Sequence, residues 1–144
     1  MASKIDLKIA LVGNPNSGKT TLFNYLTGLK QKTGNFPGVT VDKKSGILKL
    51  PNGKVAELTD LPGTYSIYPK TLDEQIVEEV LLNRDHPQHP DVIIVVADAT
   101  NLKRNLLLFT QIRDLNIPCI LVLNMMDLAE RKKLKIDLRS MSID

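Results

Sequence analysis

An α/β fold on a mainly parallel sheet is what this sequence predicts, and three observations carry the prediction. Three short apolar runs, residues 8–12, 92–97 and 117–123, are continuous instead of alternating and rich in Val and Ile. That is the pattern of parallel strands covered on both faces. Between them lie apolar stripes at helical spacing: Leu22, Leu26 and Leu29, then Ile76, Val77, Val80 and Leu81, then Leu102, Leu106 and Phe109. The middle stripe follows Thr71-x-x-Glu74, a capping-box pattern that starts a helix. Strands alternating with helices stack the helices on the faces of a parallel sheet. Thirdly, residues 46–50 and 54–58 flank Pro51-Asn52-Gly53, and Asn-Gly between short strands marks a hairpin. The sheet is therefore expected to contain one antiparallel strand pair beside its parallel strands.

Bulk properties narrow the class. The chain has 144 residues, enough for one domain. A composition of 42% hydrophobic and 24% charged residues is that of an ordinary soluble protein. Nineteen basic residues against sixteen acidic ones leave a net charge of +3, too small an excess to call for nucleic acid or an anionic membrane as partner. The single cysteine, Cys119, excludes an intramolecular disulfide and is expected as a buried, inert thiol. No stretch reaches the roughly twenty apolar residues of a membrane span. The first apolar run is interrupted at Gly13 and Asn14, so it is no secretory core either. The segment reads as soluble and cytosolic, with any membrane part elsewhere. His86-Pro-Gln-His-Pro90 reads as a polar surface loop, since no acidic or thiol cluster accompanies its two histidines.

Gly13-Asn14-Pro15-Asn16-Ser17-Gly18-Lys19-Thr20 matches G-x-x-x-x-G-K-[ST] in full, directly after the first apolar run and directly before a helical stripe. The glycines let successive backbone N–H groups point at phosphate oxygens, and the following helix adds the positive end of its dipole. Lys19 would reach the β- and γ-phosphates, the Thr20 hydroxyl would ligate Mg²⁺, and Thr21 would flank the site. This much implies a P-loop NTPase fold, a nucleoside triphosphate and magnesium, without choosing the base.

Asp60-Leu61-Pro62-Gly63 closes the second hairpin strand. Asp60 there can hold Mg²⁺ through a water while the Gly63 N–H senses the γ-phosphate. Asn124-Met125-Met126-Asp127 closes the third apolar run and resembles the N-K-x-D guanine motif. The Asp127 carboxylate would accept from guanine N1–H and the exocyclic amine, a donor pair adenine lacks, and an unpaired buried carboxylate rejects the wrong base. Met125 stands where lysine is usual and would cover the base without charge. Between P-loop and hairpin, Gly34-Asn-Phe36-Pro-Gly38-Val39-Thr40-Val41 is rich in turn formers and reads as a segment ordered by γ-phosphate and Mg²⁺. Thr40, with Gly38 and Val39 beside it, is the candidate switch threonine for Mg²⁺. Thr33 is the alternative, farther from the hairpin.

Taken together, GNPNSGKTTLFN (residues 13–24), GNFPGVTV (34–41), DLPGTYSI (60–67), ADATNLKRNL (97–106) and NMMD (124–127) resemble the G domain of the FeoB ferrous-iron transporter family. The similarity runs over nearly the whole chain. It implies a Ras-like G domain spanning residues 1–144 and slow GTP hydrolysis. It further implies a K⁺ activator held by Asn16 and by the Gly34 and Phe36 carbonyls. Asn16, Lys19, Thr40 and Gly63 would then carry catalysis. Thr64 follows Gly63 where Ras-like proteins carry a water-orienting glutamine, and it is too short for that part. The resemblance also implies attachment to a helical domain and a transmembrane iron-transport core, at the cytoplasmic face of the cell membrane. A complete G domain would add a last strand and a closing helix after the N-x-x-D region. The sequence is expected to be truncated there, with an uncovered sheet edge that favours self-association. Two other readings share the motifs: a soluble GTPase of ribosome or RNA maturation, and a nucleotide-binding module with little turnover.

Overall fold

A computed structural model describes residues 4–15, 17–28 and 30–124. Asn16, Leu29, the Met125, Met126 and Asp127 of the guanine motif, and the segment 135–144 lie outside the described residues. In chain order come β1 (Leu7–Gly13), α1 (Lys19–Thr27), β2 (Gln31–Asn35), β3 (Asp42–Lys49), β4 (Val55–Asp60), α2 (Leu72–Leu82), β5 (Val92–Asp98), a 3-10 turn (Ala99–Asn101), α3 (Leu102–Arg113) and β6 (Cys119–Asn124). They build one sheet in the order β2-β3-β4-β1-β5-β6. Strands β4, β1, β5 and β6 run parallel to one another; the continuous apolar runs of β1, β5 and β6 predict this, whereas β4 is expected from the sequence only as a hairpin strand.

Alternation along the strands divides the core in two. Ala10, Val12, Ile93 and Val95 face α2 and α3, where Ile76, Val77, Val80, Leu81, Leu108 and Ile112 close the layer. Ile9, Leu11, Leu58 and Val96 face α1, which inserts Phe23. The helical stripe expected for α3 is displaced by one position: its fully buried line is Asn105, Leu108 and Ile112, and Leu102, Leu106 and Phe109 flank it half-buried. A polar residue hid the phase. Asn105 tolerates burial because its oxygen accepts the Asp98 N–H at 3.0 Å and its amide donates to the Asn101 carbonyl at 2.8 Å.

The hairpin forms at Pro51-Asn52-Gly53, with Gly53 N–H bonded to Leu50 O and Leu50 N–H to Lys54 O. The antiparallel part of the sheet is larger than one pair, since β3 also pairs antiparallel with β2. Strand β2 reads Gln-Lys-Thr-Gly-Asn and carries no apolar pattern, so only its partner reveals it. Cys119 is half-buried in β6. The histidine loop is less exposed than expected: His86 is buried, its Nδ1 accepts the Gln88 N–H at 3.0 Å, and desolvation holds its pKa below the usual histidine value. Among the described residues, no helix is long and apolar enough to cross a membrane.

Gly46 in β3 is where the sheet meets the last turn of α1. A Cβ there would lie 2.4 Å from Thr27 Cγ2, and Thr27 is itself pinned by a 2.8 Å hydrogen bond to Phe23 O. Gly46→Ala is therefore expected to lower stability by about 1–3 kcal/mol through overpacking. Urea unfolding measures this, and a midpoint equal to wild type would show that the two elements are not in contact.

Candidate nucleotide site

The three loops of interest leave the sheet at one edge. Register places Gly13 opposite Val96, Leu11 opposite Asp60, and Asp98 opposite Asn124, so the P-loop, the Asp60 loop and the Asn124 end all emerge at the carboxyl ends of the parallel strands. Open α/β sheets bind ligands there.

The P-loop curls tightly, with Ser17 N–H bonded to Asn14 O at 3.1 Å. Gly18 adopts the left-handed conformation at φ 87° and starts α1 with Lys19 and Thr20 in its first turn. Thr20 and Thr21 are exposed, whereas Lys19 is buried. Buried side-chain atoms of Asn14 and Ser17 have no hydrogen-bond partner among the described residues. Buried polar groups are normally paired, so the loop is built to be completed by a polar ligand.

Lys19 Nζ pairs with the Asp60 carboxylate across the cavity, both side chains being about nine-tenths buried. That cavity, about 490 Å³, is lined among others by Lys19, Thr40, Asp60 and Pro62. Residues far apart along the chain thus share one space. A carboxylate and a hydroxyl beside a phosphate cradle are hard oxygen donors of the kind Mg²⁺ takes alongside waters and nucleotide oxygens, so the residues fit that ion. Leu61 is fully buried in the core and can contribute only backbone to a ligand; its N–H bonds Leu11 O at 3.1 Å.

The segment before Thr40 is more ordered by the protein itself than its composition indicates. Phe36-Pro37-Gly38-Val39 forms a β-turn with Pro first and Gly38 at φ 76° second, closed by Val39 N–H to Phe36 O at 3.2 Å. Phe36 is buried in the core beside α2. The Pro-Gly pair was the available signal for this turn; the buried anchor was not legible. Gly34 lies in β2 opposite Lys43 and, with Thr33, lines a neighbouring cavity of about 380 Å³. Gly34 and Phe36 are not among the residues lining the cavity of Lys19 and Asp60, and one lone pair of Phe36 O accepts the turn hydrogen bond from Val39 N–H.

On the far side of the cradle, Asn124 Nδ2 donates to Ser17 O at 3.0 Å, joining the guanine-motif strand to the P-loop. Behind Gly63 the backbone is strapped down. Thr64 N–H bonds Gly13 O at 3.0 Å, and the Gly63 backbone lies against Pro15. Thr64 Oγ1 sits 2.6 Å from Ser66 O and 3.0 Å from Glu74 Oε2. Glu74 also accepts the Lys70 N–H at 3.2 Å while its own N–H bonds Thr71 Oγ1 at 3.2 Å, so the capping box forms with its return bond one residue early. Gln111 and Arg104 of α3 complete the strap. The sequence carries no signal for Gln111, because an isolated polar residue on a helix forms no motif; Arg104 stands inside the 97–106 string, with no role assigned to it there.

A family model described as ferrous iron transport protein B matches residues 7–144. The chain is 52% identical over 133 residues to the Fe(2+) transporter FeoB of Leptospira biflexa serovar Patoc, covering 92% of this chain and 19% of that protein. It therefore spans about a fifth of that relative's length. Among solved structures it is similar to a mutant S. thermophilus NFeoB bound to mGDP, with TM-score 0.85 and 44% identity, over 96% of this chain and 51% of the other. It is likewise similar to the G domain of the T. maritima FeoB iron transporter, with TM-score 0.83 and 41% identity, over 94% and 79% of the two chains.

Proposed function

The chain belongs to the ferrous iron transport protein B family, in its N-terminal G-domain part, and from that premise we propose that it binds GTP with Mg²⁺ and hydrolyses it slowly. In this reading, nucleotide state controls or drives ferrous-iron uptake by a transmembrane core to which the domain is attached through a helical domain, on the cytoplasmic side. The observation that carries the nucleotide half is the cavity that gathers Lys19, Thr40 and Asp60 beside the P-loop. The transport half is supported by the relatives, whose names describe iron transporters. A soluble enzyme of ribosome or RNA maturation, which the same motifs allow, finds no support in those relatives.

Each residue has a separable task. Lys19 exchanges its bond to Asp60 for the β- and γ-phosphate oxygens, and backbone N–H groups of residues 13–20 hold the remaining charge. Thr20, Thr40 and Asp60 would hold Mg²⁺, which when bound neutralises charge on the phosphates. Gly63 N–H would meet the γ-phosphate, in register with a loop fixed by Thr64. Asn124 keeps the base-binding end of β6 against the P-loop, and Asp127 would read guanine. Thr64 cannot orient a water with its side chain, since its hydroxyl is occupied by Ser66 O and Glu74. That supports the proposed slow intrinsic turnover. Stimulation by K⁺ through Asn16 is carried by the resemblance alone.

Competitive binding of GTP, GDP and ATP tests the base. Both guanine nucleotides are expected to bind about a hundredfold or more tighter than ATP, the discrimination an unpaired polar site can impose. Equal ATP binding would remove the guanine assignment. Hydrolysis is expected to stop when Mg²⁺ is chelated and to be faster in potassium than in sodium; equal rates in the two salts would remove the role given to Asn16.

A further inference from the structure

From the geometry behind Gly63 we infer that Gln111 is a positioning residue for GTP hydrolysis: from helix α3 it fixes the loop that sets the Gly63 N–H against the γ-phosphate. The inference rests on the GTPase function proposed for the domain. Oε1 of Gln111 accepts both the Ser66 hydroxyl and the Ile67 N–H, each at 3.0 Å. Two donors converging on one atom identify it as the amide oxygen. The Ser66 hydroxyl accepts the Tyr68 N–H at 3.1 Å, so its proton is committed to Gln111 and its lone pair to the loop. Two helical turns earlier on the same helix, Arg104 lies over the Tyr65 ring, 4.1 Å from its centroid. The segment from Tyr65 to Tyr68 is thus held along one side of α3.

Its other end is held by the phosphate cradle. Thr64 N–H bonds Gly13 O, and the Thr64 hydroxyl reaches Ser66 O. Gly63 therefore leads directly into a segment held at Thr64 by the P-loop and at Ser66 and Ile67 by α3. No side chain at position 64 orients the attacking water, so the placement of backbone around Gly63 carries the alignment. Small errors in such placement are costly, because productive geometry tolerates well under an ångström of misplacement. Helix α3 in turn is fixed to the sheet by Leu108, Ile112 and Asn105, and Asn105 ties it to the end of β5. Gln111 connects this rigid layer to the loop.

The acceptor oxygen is what matters, and that separates the inference from a general packing role. Gln111→Leu keeps bulk and removes the acceptor. It is expected to lower kcat for GTP about five- to tenfold, with GDP affinity changed by less than about twofold, because the two hydrogen bonds it abolishes set geometry beside the γ-phosphate. Gln111→Glu keeps an oxygen facing both donors and is expected to stay within about twofold of wild type in kcat. Hydrogen exchange in the full chain gives an independent readout: the Ile67 amide should exchange faster in Gln111→Leu and at the wild-type rate in Gln111→Glu. Wild-type turnover by Gln111→Leu would overturn the inference. So would equal slowing by both variants, a loss of GDP affinity as large as the loss of kcat, or unchanged Ile67 exchange in the leucine variant. Failure of the wild-type chain to hydrolyse GTP would instead remove the proposed function, and the exchange comparison would still decide whether Gln111 anchors the loop.

Discussion

Gly18→Ala is expected to weaken guanine-nucleotide binding about ten- to a hundredfold, because a single methyl would break the side-chain tie between the P-loop and the end of β6. Two separate terms act at this residue. Its φ of 87° lies in the left-handed region, where a Cβ costs about 1–2 kcal/mol. The added Cβ would also lie 1.8 Å from Asn124 Nδ2, the atom that donates to Ser17 O. The Asn124 amide must swing aside and its bond to Ser17 O breaks, which removes the side-chain tie between the end of β6 and the P-loop. Gly53 isolates the first term. Its φ is 84°, yet a Cβ there meets nothing within 4 Å. Gly53→Ala should therefore cost about 1 kcal/mol of stability from backbone strain and leave nucleotide affinity unchanged. Titration with a fluorescent GDP analogue, beside circular dichroism of each variant, distinguishes the two. Gly18→Ala binding within about threefold of wild type would mean that Asn124 does not pack on the P-loop.

That tie shows which parts of the molecule were legible in the sequence. The parallel strands were readable because burial on both faces demands continuous Val and Ile, and the P-loop because its glycines and lysine have fixed spacing. Motif chemistry assigns Thr40 and Asp60 to one site with Lys19, and all three line one cavity. What escaped was structure whose partner lies far along the chain. Strand β2 is polar and exists through its ladder with β3. Asn105 sits at a core position because Asp98 and Asn101 satisfy its amide, so a hydrophobic periodicity passes over it. Phe36 lies in a segment of turn formers, where composition argues for exposure, and yet packs beside α2. Gln111 looks like any exposed helix residue until the loop it grips is in place. In each case tertiary satisfaction of a polar group, or a single aromatic anchor, overrode the local pattern.

The Lys19–Asp60 pair predicts that stability and activity will part company. Both side chains are about nine-tenths buried, so removing one partner strands the other charge away from water. Lys19→Met and Asp60→Leu, each alone, should destabilise the nucleotide-free chain by about 3 kcal/mol or more. Replacing both removes the stranded charge along with the attraction, and such double replacements are often neutral or stabilising. The combined Lys19→Met/Asp60→Leu variant should therefore recover most of the stability lost by either single change. Turnover should not recover. The ammonium that draws the phosphates and the carboxylate assigned to Mg²⁺ would both be gone, and loss of such electrostatic groups slows phosphoryl transfer by about two to three orders of magnitude. Denaturant unfolding without nucleotide gives the first quantity and single-turnover hydrolysis the second. A double variant whose loss equals the sum of the two single losses would show that the two charges are not coupled. A Lys19→Met chain that hydrolysed GTP at the wild-type rate would remove Lys19 from the reaction. The pair would thus add little to stability as a pair, and its two residues would serve the reaction by exchanging their mutual bond for the phosphates and their cation.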